Sequence, residues 1–181
     1  MQAVTTYTTE QLIEQLKAKD EHAFRYLYDH YSKALFNIIL RITPEKDIAE
    51  DILQEGFLKI WQNLTSYDET KGRLFTWMLS IVRNLAIDRT RSKDFKKQYK
   101  TVGITENVYT NEKVVNSNIA DYGFNALINK LSEESRKLLE LSFYQGYTHE
   151  EISKMMNIPL GTVKTRIRTT IIELRKLMND K

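Results

Sequence analysis

Cysteine is absent from the chain, which removes disulfides, thiolate nucleophiles and cysteine-based zinc sites from consideration. Proline and glycine are scarce, at 2 and 6 of 181 residues, so a loop-rich β-sandwich or a glycine-lined nucleotide fold fits poorly. The three histidines, His22, His30 and His149, are too scattered for paired-histidine metal spacing. No apolar run approaches the ~20 residues of a transmembrane span, and the first ten residues lack the apolar segment of a signal peptide. Hydrophobic residues at 41% and charged residues at 28% leave enough apolar side chain for one or two small cores. The expectation is a soluble, cytoplasmic, mostly helical protein with no membrane insertion.

The net charge of +3 hides an uneven distribution. Residues 71–100 hold nine cations against Asp88 and Asp94, a local balance of +7. Residues 159–176 hold five cations against Glu173, or +4, whereas residues 45–55 carry five carboxylates against Lys46, or −4. Two basic segments suit contacts with a polyanion, and one acidic segment suits a basic protein; all three also read as solvated helix faces.

Apolar spacing of three and four residues predicts helices. A threonine-rich start can cap a first helix over 8–17, and Asp20 can cap a second that stops at Thr43-Pro44. A third spans about 45–64, with Ile48, Ile52, Leu53, Phe57, Ile60, Trp61 and Leu64 as its apolar stripe. Asp47, Asp51 and Glu55 follow at four-residue steps beside Glu50 and Gln54. Residues 67–73 form a polar loop hinged at Gly72, and a fourth helix runs to about Ser92 with Leu74, Trp77, Met78, Ile81, Val82 and Leu85 inward. Periodicity then fades. We expect an all-α chain of two helical domains, 1–92 and 125–181, joined by a flexible linker over 93–124.

The second domain reads as two helices through Leu127–Phe143, a turn at Gln145-Gly146-Tyr147, and a helix opened by Thr148 and Glu151 at capping-box spacing. A turn at Asn157-Ile158-Pro159 leads to a last helix ending near Leu177. Helix, turn and basic helix make a helix-turn-helix, although a plain α-hairpin has the same outline. On that last helix Val163, Ile167, Thr170, Ile171, Leu174 and Met178 should face inward. Thr162, Thr165, Arg168 and Thr169 should face outward, with Lys164 and Arg166 at the flanks. Short hydroxyl side chains and an arginine suit base edges in a major groove, and flanking cations suit phosphates.

Around the 67–73 loop, Tyr67, Phe75 and Trp77 lie near Lys71, Arg73, Arg83, Asn84, Asp88 and Arg91. Aromatics among cations and an amide suit unpaired bases, which stack on rings and expose their edges. Trp77 also fits the apolar stripe as core, and Tyr67 is open to either role. The acidic run offers no Glu-x-x-His pair for a di-metal site, His149-Glu150 lacks a second zincin histidine, and no Ser–His–Asp set or phosphate loop stands out. No cofactor, metal or catalytic residue is expected.

The run from Asp47 through Phe57, then Trp61, Phe75-Thr76-Trp77-Met78 and Arg83-Asn84-Leu85-Ala86-Ile87-Asp88, resembles the second conserved region of bacterial sigma factors. Residues 147–152 and 158–166 resemble their fourth region. With a short linker and no long acidic extension, the chain is similar to the extracytoplasmic-function group. That resemblance implies RNA polymerase core as partner, with Asp47, Glu50, Asp51, Gln54 and Glu55 against the clamp helices of its largest subunit. It implies promoter DNA as a second partner. The 67–73 loop and Asn84 would open and read the minus-ten element, and the last helix would read the minus-thirty-five element. It also implies an anti-sigma factor. Thr165 stands where the family commonly has serine. A free-standing helix-turn-helix regulator and a protein-interaction module remain rival readings. The regulator needs neither the acidic helix nor the basic aromatic face beside it, and the two basic segments argue against the interaction module.

Overall fold

The computed structural model describes residues 7–92 and 128–179. The chain divides into two compact units, residues 1–96 and 97–181. Among the described residues the regular elements are all helical. The expected linker over 93–124, its lysines, and Phe124 through Leu127 lie outside the described residues.

In the first unit α1 (Thr9–Lys17) is opened by Thr8, whose hydroxyl accepts from the Gln11 amide while the Gln11 side chain accepts from the Thr8 amide. Asp20 caps α2 (Glu21–Ile42) by accepting from Ala23 N–H at 2.7 Å. Between them Lys19 takes a left-handed backbone, φ 62°, which ends α1 within one residue. Its ammonium donates to the Trp61 carbonyl and lies 4.8 Å from the centre of the Trp61 ring. Helix α3 (Lys46–Asn63) has no cation of its own in its last turn, so Lys19 supplies the positive charge that its C-terminus favours.

Helices α2, α3 and α4 (Leu74–Arg91) pack mutually around Leu27, Leu35, Ile39, Ile60, Met78 and Val82, all fully buried. The tightest point is Gly56. A Cβ there would stand 2.6 Å from Cγ1 of Val82, a contact that real side chains do not make. Glycine therefore sets the α3–α4 separation, at the cost of a flexible residue in mid-helix.

A short 3₁₀ turn (Leu64–Ser66) leads from α3 into the loop before α4. Here Tyr67, open in sequence to a stacking or a core role and offered there as a DNA contact, takes a core position. The residue is 5% exposed and its hydroxyl donates to the Gly72 carbonyl at 2.9 Å, so the ring braces the loop from inside. Gly72, expected as a hinge, is not among the residues of positive φ, and its Cβ position is open space. Its contribution is the carbonyl that Tyr67 holds.

In the second unit α5 (Glu133–Leu139) is capped by Ser132 and runs into a π-helical turn (Glu140–Tyr144), where Gln145 N–H reaches the Glu140 carbonyl at 3.0 Å. Gly146 turns the chain at φ 70°. Helix α6 (His149–Met156) opens on the Thr148–Glu151 capping box. Asn157, left-handed at φ 52°, closes it, and Ser153 Oγ donates to the Ile158 carbonyl at 2.6 Å to fix the turn. Helix α7 (Leu160–Asn179) follows. Leu138, Leu141, Ile152 and Val163 form the core of this unit, so α6 and α7 are held as a helix-turn-helix against α5.

Both tryptophans, Trp61 and Trp77, lie in the first unit, so their fluorescence reports its unfolding alone. Gly56→Leu forces α3 and α4 apart and should cost about 2 kcal/mol, moving the urea midpoint down; an unchanged midpoint would show that Val82 yields freely. Tyr67→Phe removes one hydrogen bond and should cost about 1 kcal/mol at neutral pH. Burial, then Glu69 and Asp68, raise the Tyr67 hydroxyl above its ordinary value of 10.0. The fold thus favours the protonated phenol, and this stabilisation is complete below pH ~10 and lost as pH rises through the raised value. The deficit of the phenylalanine variant should therefore shrink above pH ~10 in paired unfolding curves.

Candidate nucleic-acid and protein interfaces

At ~100° per residue, Ala49, Ile52, Leu53, Gly56, Phe57 and Ile60 fall on the buried side of α3. Asp47, Glu50, Asp51, Gln54 and Glu55 are all exposed, and they occupy the other side. Lys46 pairs with Glu50 at 3.5 Å and Lys59 with Glu55 at 3.1 Å. Both are exposed i,i+4 pairs worth about 0.3–0.5 kcal/mol, weak enough to be exchanged for a partner's cation. One turn beyond Gln54, toward the C-terminal end of this face, Leu58 is 62% exposed.

Helix α4 presents Arg73, Trp77, Ser80, Asn84, Asp88 and Arg91 along one face. All are exposed except Trp77, which is half-buried with its ring 5.3 Å from that of Tyr67. Of the two roles left open for Tyr67 the structure favours core, while Trp77, expected inward, is half-buried at the edge of the face that carries Asn84. Asn84 Oδ1 accepts from Arg83 at 3.2 Å, which orients its amide. Burial lowers the Arg83 guanidinium from its ordinary value, and the nearby Arg91 charge adds to that. In the loop, Asp68 accepts from both the amide and hydroxyl of Thr70 and pairs with Lys71 at 3.5 Å. Those hydrogen bonds, with the lysine, hold the Asp68 carboxyl below its usual range. Lys71 is itself exposed.

On α7, Lys164, Thr165, Arg168 and Thr169 are exposed and Thr162 is half-buried. The Thr165 hydroxyl donates to the Gly161 carbonyl at 2.9 Å, and that of Thr169 to the Thr165 carbonyl at 3.0 Å. With their protons committed to the helix, these oxygens turn lone pairs outward as acceptors, which suits the amino groups of adenine and cytosine. Arg166 forms an ion pair with Glu134 at the start of α5, a tertiary link that α7 alone does not reveal. One inward expectation is corrected: Ile171 is 41% exposed, as is neighbouring Ile172 at 44%, while Thr170 is buried with its hydroxyl on the Arg166 carbonyl.

Among the described residues there is no group of His, Cys, Asp and Glu that could hold a metal ion, and no helix long and apolar enough to cross a membrane.

Residues 27–96 match Sigma-70 region 2, and residues 127–176 match Sigma-70 region 4. The chain is 31% identical over 180 residues to the ECF RNA polymerase sigma factor SigW of Bacillus subtilis, spanning 93% of this chain and 95% of that protein. It is 27% identical over 173 residues to the ECF RNA polymerase sigma factor SigK of Mycobacterium tuberculosis, spanning 93% and 92%. The structure of Rhodobacter sphaeroides SigE in complex with the anti-sigma ChrR is similar at 26% identity and a TM-score of 0.47, covering 91% of this chain and 94% of that one. With both regions matched in order and SigW alike over almost its whole length, the chain belongs to the sigma-70 family of RNA polymerase sigma factors, in the extracytoplasmic-function group.

Proposed function

We propose that the chain binds RNA polymerase core, directs it to a set of promoters and assists their opening, performing no bond chemistry itself. The observation that carries this reading is the pairing, within the first unit, of an acidic outward face on α3 with a basic, aromatic-edged face on α4. A protein that only bound duplex DNA through its helix-turn-helix would need neither. The acidic face docks on polymerase through Asp47, Glu50, Asp51, Gln54 and Glu55. The α4 face, through Arg73, Arg83, Asn84, Asp88 and Arg91 with Lys71 from the loop, holds the melted strand, and half-buried Trp77 rather than buried Tyr67 offers a ring for stacking. Helix α7 reads the upstream duplex through Thr162, Thr165, Arg168 and Thr169, with Lys164 and Arg166 on phosphates. The site of action is cytoplasmic, where polymerase works. An anti-sigma factor that hides the acidic face is the proposed regulator. Run-off transcription with purified core polymerase on a genomic promoter library tests the function: transcripts that require the chain support it, and none would refute it.

Two sets of substitutions test the residue assignments. Asp51→Lys with Glu55→Lys should weaken core binding roughly hundredfold, since each desolvated charge pair is worth about 1.5 kcal/mol or more. Helical content should be unchanged because both residues are exposed. A pull-down showing full affinity would rule out this face. Arg168→Ala and Thr165→Ala should each lower affinity for the upstream duplex by about 1–3 kcal/mol in gel shifts with holoenzyme. Asn84→Ala should spare that binding and reduce permanganate reactivity of the melted region; normal reactivity would remove Asn84 from the single-strand site.

A further inference from the structure

The 67–73 loop and the first turn of α4 converge on one buried side chain. Tyr67 stands at the start of the loop, and its hydroxyl donates to the Gly72 carbonyl at the end of it. That carbonyl belongs to the peptide joining Gly72 to Arg73, the residue from which α4 departs. Holding the oxygen fixes the plane of that peptide, and with it the direction in which Arg73 enters the helix. Four residues on, Trp77 donates its amide to the Arg73 carbonyl at 3.1 Å and sets its ring 5.3 Å from that of Tyr67. Arg73 and Trp77 share one face of α4, so a single phenol holds the backbone before one and the ring of the other. From α1, Lys17 brings its ammonium 6.0 Å from the centre of the same ring. The rest of the loop is tied to itself: Lys71 N–H donates to the Asp68 carbonyl at 3.1 Å, and Thr70 donates twice to the Asp68 carboxylate. Tyr67 joins that closed turn to α4.

A loop that its ligand must order loses binding energy to the conformational freedom removed, whereas a loop ordered beforehand does not. At 5% exposure Tyr67 has no face to offer a base. We infer that Tyr67 is a positioning residue for the melted-strand site: its hydroxyl and ring pre-set Lys71, Arg73 and Trp77 in the geometry that receives unpaired bases. This rests on the strand-binding reading of the α4 face. The two parts of the side chain divide the work. The hydroxyl holds the end of the loop to its start, and the ring backs Trp77. Tyr67→Phe removes the first and keeps the second; Tyr67→Leu removes both.

The test uses holoenzyme made from the full-length chain and purified core polymerase, titrated against two labelled DNAs from a promoter that the run-off assay returns. One is duplex carrying the upstream element alone, and the other is a fork whose downstream element is single-stranded. Tyr67→Phe should bind the fork about fivefold more weakly, the worth of one hydrogen bond, and the upstream duplex as the parent does. Tyr67→Leu should lose about twentyfold on the fork, because the aromatic contact with Trp77 goes as well. The control for a merely structural effect is Ile39→Val, at a fully buried position in the same unit, which costs a comparable amount of stability. Measured well below the unfolding midpoint, it should bind both DNAs normally. Equal weakening by Ile39→Val and Tyr67→Phe would reduce Tyr67 to a general contributor to stability and overturn the inference. Asn84→Ala on the same fork separates this from the reading beneath it. If Asn84→Ala weakens fork binding and Tyr67→Phe does not, the strand site stands and the positioning role falls. If neither does, the strand-binding reading of α4 fails too.

Discussion

Where α3 crosses α4 there is no room for a single methyl group between Gly56 and Val82. That steric limit fixes how deeply α3 sinks into the first unit, and so which of its side chains are left outside. With Ala49 and Gly56 on the inner side, the helix beds closely, and its remaining surface is free for carboxylates that would be ruinous to bury. The same contact fixes α4 and sets the face that carries Asn84 and Arg91. Two surfaces of opposite charge are thus oriented by one small-residue crossing rather than by each other.

Much of this was legible in the sequence because local chemistry decides it. Thr8, Asp20 and Thr148 cap the helices their spacing announced, and the left-handed Asn157 and Gly146 turn the chain where a helix must stop. The acidic face of α3 and the outward hydroxyl face of α7 follow from helical periodicity alone. What the sequence left open or missed depended on packing rather than on residue pattern. Tyr67 sits in a polar stretch with loop composition, yet a carbonyl five residues on draws it inside. Trp77 has the composition of a core residue but stands at the edge of its stripe. The π-helical turn at Glu140–Tyr144 shifts the helical register, a change that no spacing of three and four could show. Leu58 was invisible for the opposite reason: it continues no apolar pattern, and counting charges skips it.

Lys19 illustrates a residue whose meaning lies wholly in tertiary structure. In sequence it is a lysine between two helices; in space it stops α1 and tends the far end of α3, whose length carries the whole acidic face. The order of α1, α2 and α3 is thereby closed into a loop of contacts, with Phe24 against both Phe57 and Trp61 on the same side.

The ion pair between Arg166 and Glu134 has a consequence for the salt dependence of DNA binding. A cation that meets a phosphate usually frees condensed counterions from the duplex, and mobile ions in bulk set how favourable that release is. Arg166 instead arrives already matched to a fixed carboxylate that cannot diffuse away. Engaging a phosphate means trading one anion for another, and Glu134 is left at the duplex edge with its own charge exposed. On the proposed reading of α7 the pair would temper DNA affinity from within, and non-specific duplex, which offers phosphates but no base contacts to compensate, would bear that repulsion in full.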